Sequence, residues 1–168
     1  MGNYHLAQVN IGRILAPLDS PVMADFVSQL DAINALADAA PGFVWRLQTE
    51  DGDATAIRPY NDDWILINMS VWESPEALHA YVYRSAHADV LRRRREWFAR
   101  MTEAFVALWW VPAGHRPSVA EAVERLGMLR THGLTADAFT LRQLFPPPDS
   151  PLEESSSTRE LPEECQAP

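Results

Sequence analysis

No lysine occurs among the 168 residues; all 14 basic side chains are arginine. That excludes lysine Schiff-base chemistry and the lysine of a phosphate-binding P-loop. A single cysteine, Cys165, excludes an internal disulfide and leaves no thiolate metal set. Glycine is scarce, at 7 residues, and never spaces as GxGxxG, so no dinucleotide fingerprint is present. The five histidines (His5, His79, His87, His115 and His132) are scattered, with no HExxH and no serine nucleophile elbow. We therefore expect no metal. No apolar run reaches the roughly 20 residues that cross a bilayer. The start, MGNYHLAQVN, has no basic segment ahead of an apolar one, so it is not a secretory signal. A cytoplasmic chain without a membrane partner is the expectation.

What is present suits one small folded domain. Hydrophobic residues make up 47% of the chain, enough for a packed core. The net charge of −9 is uneven. Residues 149–168 carry six acids against Arg159, a sum of −5, which leaves −4 for the rest. Neither part offers the basic footprint that nucleic-acid binding needs. The segment PPPDSPLEESSSTRELPEECQAP reads as an acidic low-complexity tail. The boundaries expected are a domain over 1–146 and a disordered tail over 147–168.

Patterning within the domain predicts β-α-β-β-α-β with an extra C-terminal helix. Residues 4–14 alternate, with Ala7, Val9 and Ile11 on one face and Gln8, Asn10 and Gly12 on the other. Asp19 or Ser20, then Pro21, predict a helix start, and Pro41-Gly42 its end. Residues 43–50 read as a second strand. Residues 63–72 are the clearest strand, with Ile65, Ile67, Met69 and Val71 opposite Trp64, Leu66, Asn68, Ser70 and Trp72. Ser74-Pro75 opens a second helix. Its apolar phase shifts near Ser85, which predicts a break before a further helical piece over 87–100. A fourth strand over 105–111, a helix capped by Ser118 and ending near Gly133, and an extended arm over 139–145 complete the order. This is an α+β, ferredoxin-like antiparallel sheet with helices on one face. Nothing in one chain would cover its other face, and the strands carry tryptophans and other bulky residues on both faces, so a homodimer closing two sheets face to face is expected. A ligand cleft would lie between the sheets.

The stretches LAQVNIGRILAPLDSP, PGFVWRLQTEDGDAT, INMSVWESPEAL, YVYRSAHADVLRRRREWF and LWWVPAGHRPSVAEAVERL resemble a bacterial family of domains of unknown function, DUF3291, of the dimeric α+β barrel superfamily. The resemblance covers roughly residues 4–146. It implies the barrel fold and the dimer. It also implies a range of activities: monooxygenases of the antibiotic-biosynthesis type without a dissociable cofactor, isomerases, haem enzymes and simple ligand binders.

Candidate site residues follow from position. On a continuous helix, Val90, Leu91, Trp97, Phe98 and Met101 share one arc; His87 and Arg94 fall inside it, and Arg92 and Arg95 outside. Arg94 is thereby directed inward, either to pair with a carboxylate or to hold a ligand. His87 is either satisfied by a carbonyl or acts as acid/base or axial haem ligand. With Asn68 these are the catalytic candidates. Gln8, Asn10, Trp45, Trp64, Trp72, Trp109 and Tyr83 are the candidates to bind substrate, Tyr83 sharing the face of His87 only if the helix runs unbroken through Ser85. The amides either bond one another across the sheet or orient a ligand carbonyl or phenol, and the tryptophans either wall the pocket or form core. Asparagine, tryptophan and arginine around one pocket are similar to the cofactor-free monooxygenases of the superfamily. Three functions compete: an oxygenase or isomerase acting on a small aromatic or polyketide-like molecule, a haem protein, and a non-enzymatic small-ligand-binding dimer.

Overall fold

A computed structural model describes residues 3–150. Alternation drives strand β1 (Tyr4–Arg13) into the middle of the molecule. It pairs antiparallel with β3 (Ile65–Trp72) on one side and β4 (Val106–Pro112) on the other; β2 (Phe43–Arg46) adds to β3. The order β2-β3-β1-β4 is that of the ferredoxin-like fold. Helices α1 (Ala24–Asp38), α2 (Pro75–Arg84) and α3 (His87–Arg92) lie over one face, and α4 (Val119–His132) follows β4.

Local chemistry sets most of the boundaries. Ser74 caps α2 by accepting the Ala77 N–H at 3.2 Å, with Pro75 at the first helical position. Ser118 caps α4 by accepting from Glu121 N at 3.1 Å, and Gly133 closes it at φ 72°. The break at Ser85 is where the phase shift placed it. Ser85 is extended (φ −108°, ψ 179°), its hydroxyl donates to the Tyr81 carbonyl and accepts from His87 N–H, and α3 starts afresh.

Four expectations need correction. First, α1 begins at Ala24, not near Ser20. Residues 17–23 form turns that sink Met23, fully buried, among Ile14, Leu66 and Trp97, and that burial outweighs the cap signal of Asp19 and Ser20. Second, the helix expected over 87–100 stops at Arg92. A 3₁₀ turn over Arg94–Glu96 follows, and the chain then runs extended beside the end of β1, with Leu15 N–H on the Trp97 carbonyl and Ala99 N–H on the Arg13 carbonyl, 2.9 and 2.8 Å. Third, β2 ends at Arg46, where that side chain turns to Asp38 and the Gly52 carbonyl. Fourth, no sheet face is left bare: α1, α2 and α3 lie over one, and the other is covered within the same chain. Ala7, Val9, Ile11, Ile67, Met69, Ala107 and Trp109 on that face are buried with Ala122, Leu126 and Leu129 of α4, and Leu47, Ile57 and Met101 close around them. The apolar stripe of α4, at i, i+4 and i+7, is the missing lid. The physical reason for expecting a second sheet there is removed.

Phe139 exchanges both backbone hydrogen bonds with Leu108, at 2.7 and 2.9 Å, so the arm expected over 139–145 begins as a short pairing along the outer edge of β4. From residue 151 the tail expected over 147–168 lies outside the described residues. Residues 147–150 form a turn with Ser150 N–H on the Pro147 carbonyl.

Candidate functional site

The helices over the second sheet face do not seal it. A cleft of about 500 Å3 remains between the strands and the helices, within the usual range of small-molecule sites. Its floor comes from the alternate positions of β1 and β3: Gln8, Asn10 and Gly12 on one strand, Asn68, Ser70 and Trp72 on the other. Register pairs them across the sheet, Gln8 with Ser70 and Asn10 with Asn68, which sets each pair within side-chain reach.

The two pairs have different fates. Ser70 donates its hydroxyl to Gln8 Oε1 at 3.1 Å and accepts Trp72 Nε1–H at 2.8 Å. That chain is buried and fixes one end of the floor. Among the described residues, neither the Asn10 nor the Asn68 side chain has a hydrogen-bond partner, and Asn68 is exposed although Ile67 and Met69 beside it are buried. An amide at mid-sheet that opens to a cleft is solvated there. It is free to exchange water for the oxygen of a ligand.

The roof is apolar and aromatic. Leu30 and Ile33 of α1, Tyr81 and Val82 of α2 and Leu91 of α3 face the floor. Tyr81 stacks on Trp72 with ring centroids 5.0 Å apart at 26°, and donates its hydroxyl to the Ile33 carbonyl at 3.3 Å. Burial pushes its phenol up to about 12, so it stays a neutral donor. Asn34 of α1 also lines the cleft and has no side-chain partner among the described residues.

His87, at the start of α3, stands on this wall with its ring 4.9 Å from Tyr81. Its Nδ1 lies 3.3 Å from the Val82 carbonyl. A carbonyl only accepts, so Nδ1 carries the proton and Nε2 of the neutral ring is the free acceptor. Burial holds His87 below the usual imidazole range, against the smaller opposing effect of Val82. The carbonyl contact and the open Nε2 coexist, so the two alternatives posed for His87 do not exclude each other.

Arg94 closes one end. It finds no carboxylate among the described residues; Nη2 donates to the Ile11 carbonyl at 3.2 Å, and its guanidinium carbon lies 5.2 and 4.7 Å from the Phe98 and Phe105 ring centroids. Burial first, then the nearby Arg95 charge, push its pKa down. Gly12 makes this approach possible, since a Cβ there would sit 2.6 Å from the Phe98 ring and 3.3 Å from Arg94 Nη2.

Of the residues singled out from sequence, Gln8, Asn10, Asn68, Trp72, Tyr83, His87 and Arg94 line this one cleft. Three tryptophans do not. Trp45 and Trp109 pack into the core beneath the opposite face, where Trp109 Nε1 donates to Glu121 Oε1 at 2.9 Å. Trp64 precedes β3 and is exposed. Asn34, Tyr81 and Phe105 are not among the residues singled out from sequence; Phe98 is, as part of the arc that holds His87 and Arg94. Asn34 was legible, because an amide set between Leu30, Ile33 and Ala37 on an apolar stripe needs a polar surrounding. Phe105 stands just before β4, and Phe98 meets Arg94 across the turn after Arg92 and not along a helix. Among the described residues no three His, Cys, Asp or Glu side chains gather as a metal set, and no helix is long and apolar enough to cross a membrane.

A ferredoxin-like sheet with a cleft under its first three helices defines an α+β domain with an open pocket on one sheet face. The chain belongs to DUF3291, described as a domain of unknown function, whose family model matches residues 5–155. The match runs past the boundary at 146 into the acidic segment. No curated protein matches. Among solved structures, the chain is similar to Rv0793 from Mycobacterium tuberculosis, with 17% identity and TM-score 0.43 over 68% of this chain and 99% of that one. It is similar to NE2512, a protein of unknown function from Nitrosomonas europaea, with 14% identity and TM-score 0.42 over 69% and 97%. A monooxygenase from the gene ActVA-Orf6 of Streptomyces coelicolor, solved with nanaomycin D, gives 13% identity and TM-score 0.41 over 69% and 95%. At these values the fold assignment rests on the strand order itself.

Proposed function

We propose that the cleft binds a small, flat aromatic or polyketide-like molecule bearing an enol or phenol, and that the chain removes a proton from it, as an oxygenase without a dissociable cofactor or as an isomerase. The observation that carries this is the coexistence of unpartnered Asn10 and Asn68 amides with a carboxylate-free Arg94 in one aromatic-walled cleft. Oxygenation and isomerisation share the first step. His87, neutral and with Nε2 open, takes the proton; Arg94 and Asn68 stabilise the oxyanion that forms. In the oxygenase case dioxygen is the second substrate.

A panel of quinols and enolisable polyketides, followed by oxygen uptake and absorbance, tests this. His87→Gln lowers turnover on the order of 10²–10⁴-fold, the scale of a lost general base, with folding retained; unchanged turnover removes His87 from the chemistry. The same residue has a signature in stability. The unfolded chain takes up a proton near pH 6.5, whereas the folded ring stays neutral to lower pH. Stability therefore falls as pH drops below about 6.5, and His87→Gln removes part of that fall in a urea series. A pH dependence identical to wild type would contradict the burial of a neutral His87.

One observation favours a second reading. With Nδ1–H held by Val82, His87 Nε2 is the ring nitrogen that would hold a haem group. Haem would supply redox chemistry there. A Soret band on haem titration that is lost in His87→Ala would replace the cofactor-free reading. A homodimer also belongs here as a proposal: exposed Leu15 and Trp64, adjacent at one end of the sheet through the Ile14–Trp64 backbone bond, are the apolar surface a second copy would cover. The cleft itself lies within one chain.

A further inference from the structure

Behind Arg94 lies a second hollow of about 170 Å3, walled by Arg94, Arg95, Ala99, Arg100, Met101 and Phe105. Arg94 and Phe105 are shared with the large cleft. Three guanidinium groups around one small hollow repel one another. Carboxylates close by in the chain and the fold are committed elsewhere: Asp89 pairs with Arg92, Asp25 and Glu96 with Arg93, and Glu103 with Arg130. Among the described residues Arg94, Arg95 and Arg100 pair with no carboxylate. The described residues leave this cluster uncompensated, and Arg95 already disfavours the charge on Arg94. A planar guanidinium fork is the side chain best matched to an oxyanion with two or three oxygens.

We propose that this hollow binds the anionic end, a carboxylate or a phosphate, of a small molecule whose apolar body lies in the cleft. Arg94 is the joint between the two compartments. Arg95 and Arg100 neutralise the anion from the outer side, where solvent reaches both. The substrate class narrows from flat aromatics to aromatics that carry an acid. The placement of the apolar body rests on the cleft reading above; the anion site does not.

Three probes separate the two. Inorganic phosphate raises the melting temperature of the full chain above that seen in chloride of equal ionic strength, because it binds the folded state alone. The acid 1-naphthyl phosphate binds at least about tenfold tighter than neutral 1-naphthol, the scale of one charge-assisted hydrogen bond. The double variant Arg95→Gln/Arg100→Gln loses the phosphate shift and the tenfold preference while its affinity for 1-naphthol is unchanged, as neither residue lines the cleft. A wild-type chain that phosphate protects no better than chloride overturns the anion site, and so does a double variant that keeps the full preference. Phosphate protection without 1-naphthol binding sinks the cleft reading and the joint ligand, and supports the anion site alone.

Discussion

Arg94→Met lowers the affinity for 1-naphthoate by roughly 10- to 100-fold, the range of 1.5–3 kcal/mol given up when a hydrogen bond to a charged group is lost, and removes turnover of enolisable substrates. It does so without destabilising the protein. Among the described residues Arg94 has no ion pair to lose; its polar contact there is the Ile11 carbonyl, and Phe98 and Phe105 flank it. A methionine fits between two rings and removes a half-buried charge that no carboxylate among the described residues compensates. An arginine kept for structure behaves in the opposite way, since its removal strands a buried partner. Calorimetric titration beside urea unfolding distinguishes the two. Lost stability with retained binding would make Arg94 a structural residue.

Trp109→Ala has the opposite profile: it lowers stability by about 3–5 kcal/mol, the cost of emptying a large buried side chain, and leaves ligand affinity intact wherever the protein stays folded. Trp109 is fully buried, packs in the core cluster that includes Ala122 and Leu126 of α4, and donates to Glu121, which also holds His115 at 2.8 Å. Truncation opens a cavity and leaves one bond of Glu121 unmade. Small domains are only about 5–15 kcal/mol stable, so Trp109→Phe serves as the milder companion. It keeps most of the packing and loses only the indole N–H. Affinity for 1-naphthol that falls in Trp109→Phe at full folding would return this residue to a ligand-binding role.

The contrast between Arg94 and Trp109 shows what the amino-acid pattern can carry. Alternation fixes which side chains share a sheet face. Gln8, Asn10, Asn68 and Ser70 were therefore grouped correctly, and Trp109 belongs with Ala7, Val9 and Ile11. Alternation says nothing about which face each helix covers. Because no pattern places α4, one sheet face is expected bare, with a second subunit over it and the cleft between two sheets. The structure instead packs α4 on the face of Ala7, Val9 and Ile11. The apolar face is core, and the polar face under α1, α2 and α3 holds the opening.

The sequence pattern puts His87 and Arg94 on one wall for a partly mistaken reason. The helical arc that joined them assumed a helix to residue 100, but it ends at Arg92. Both still reach the cleft, because the break at Ser85 sets His87 at the head of α3 and the turn over Arg94–Glu96 aims Arg94 back at β1. That turn depends on backbone bonds to Arg13 and Leu15, some 80 residues earlier in the chain. No local pattern encodes such pairing, so Phe105 beside Arg94 is not legible in the sequence, whereas Phe98 is, through the shared arc.

Side-chain amide and indole resonances of nitrogen-15-labelled protein, followed during titration with 1-naphthol, test most directly whether the ligand cleft lies on the amide face of a single chain. The Asn10 and Asn68 amide signals and the Trp72 indole signal should move together and saturate at one ligand per chain, while those of Trp45 and Trp109 stay in place. Movement of the Trp45 and Trp109 signals with the amides unchanged, or saturation at one ligand per two chains, would contradict it.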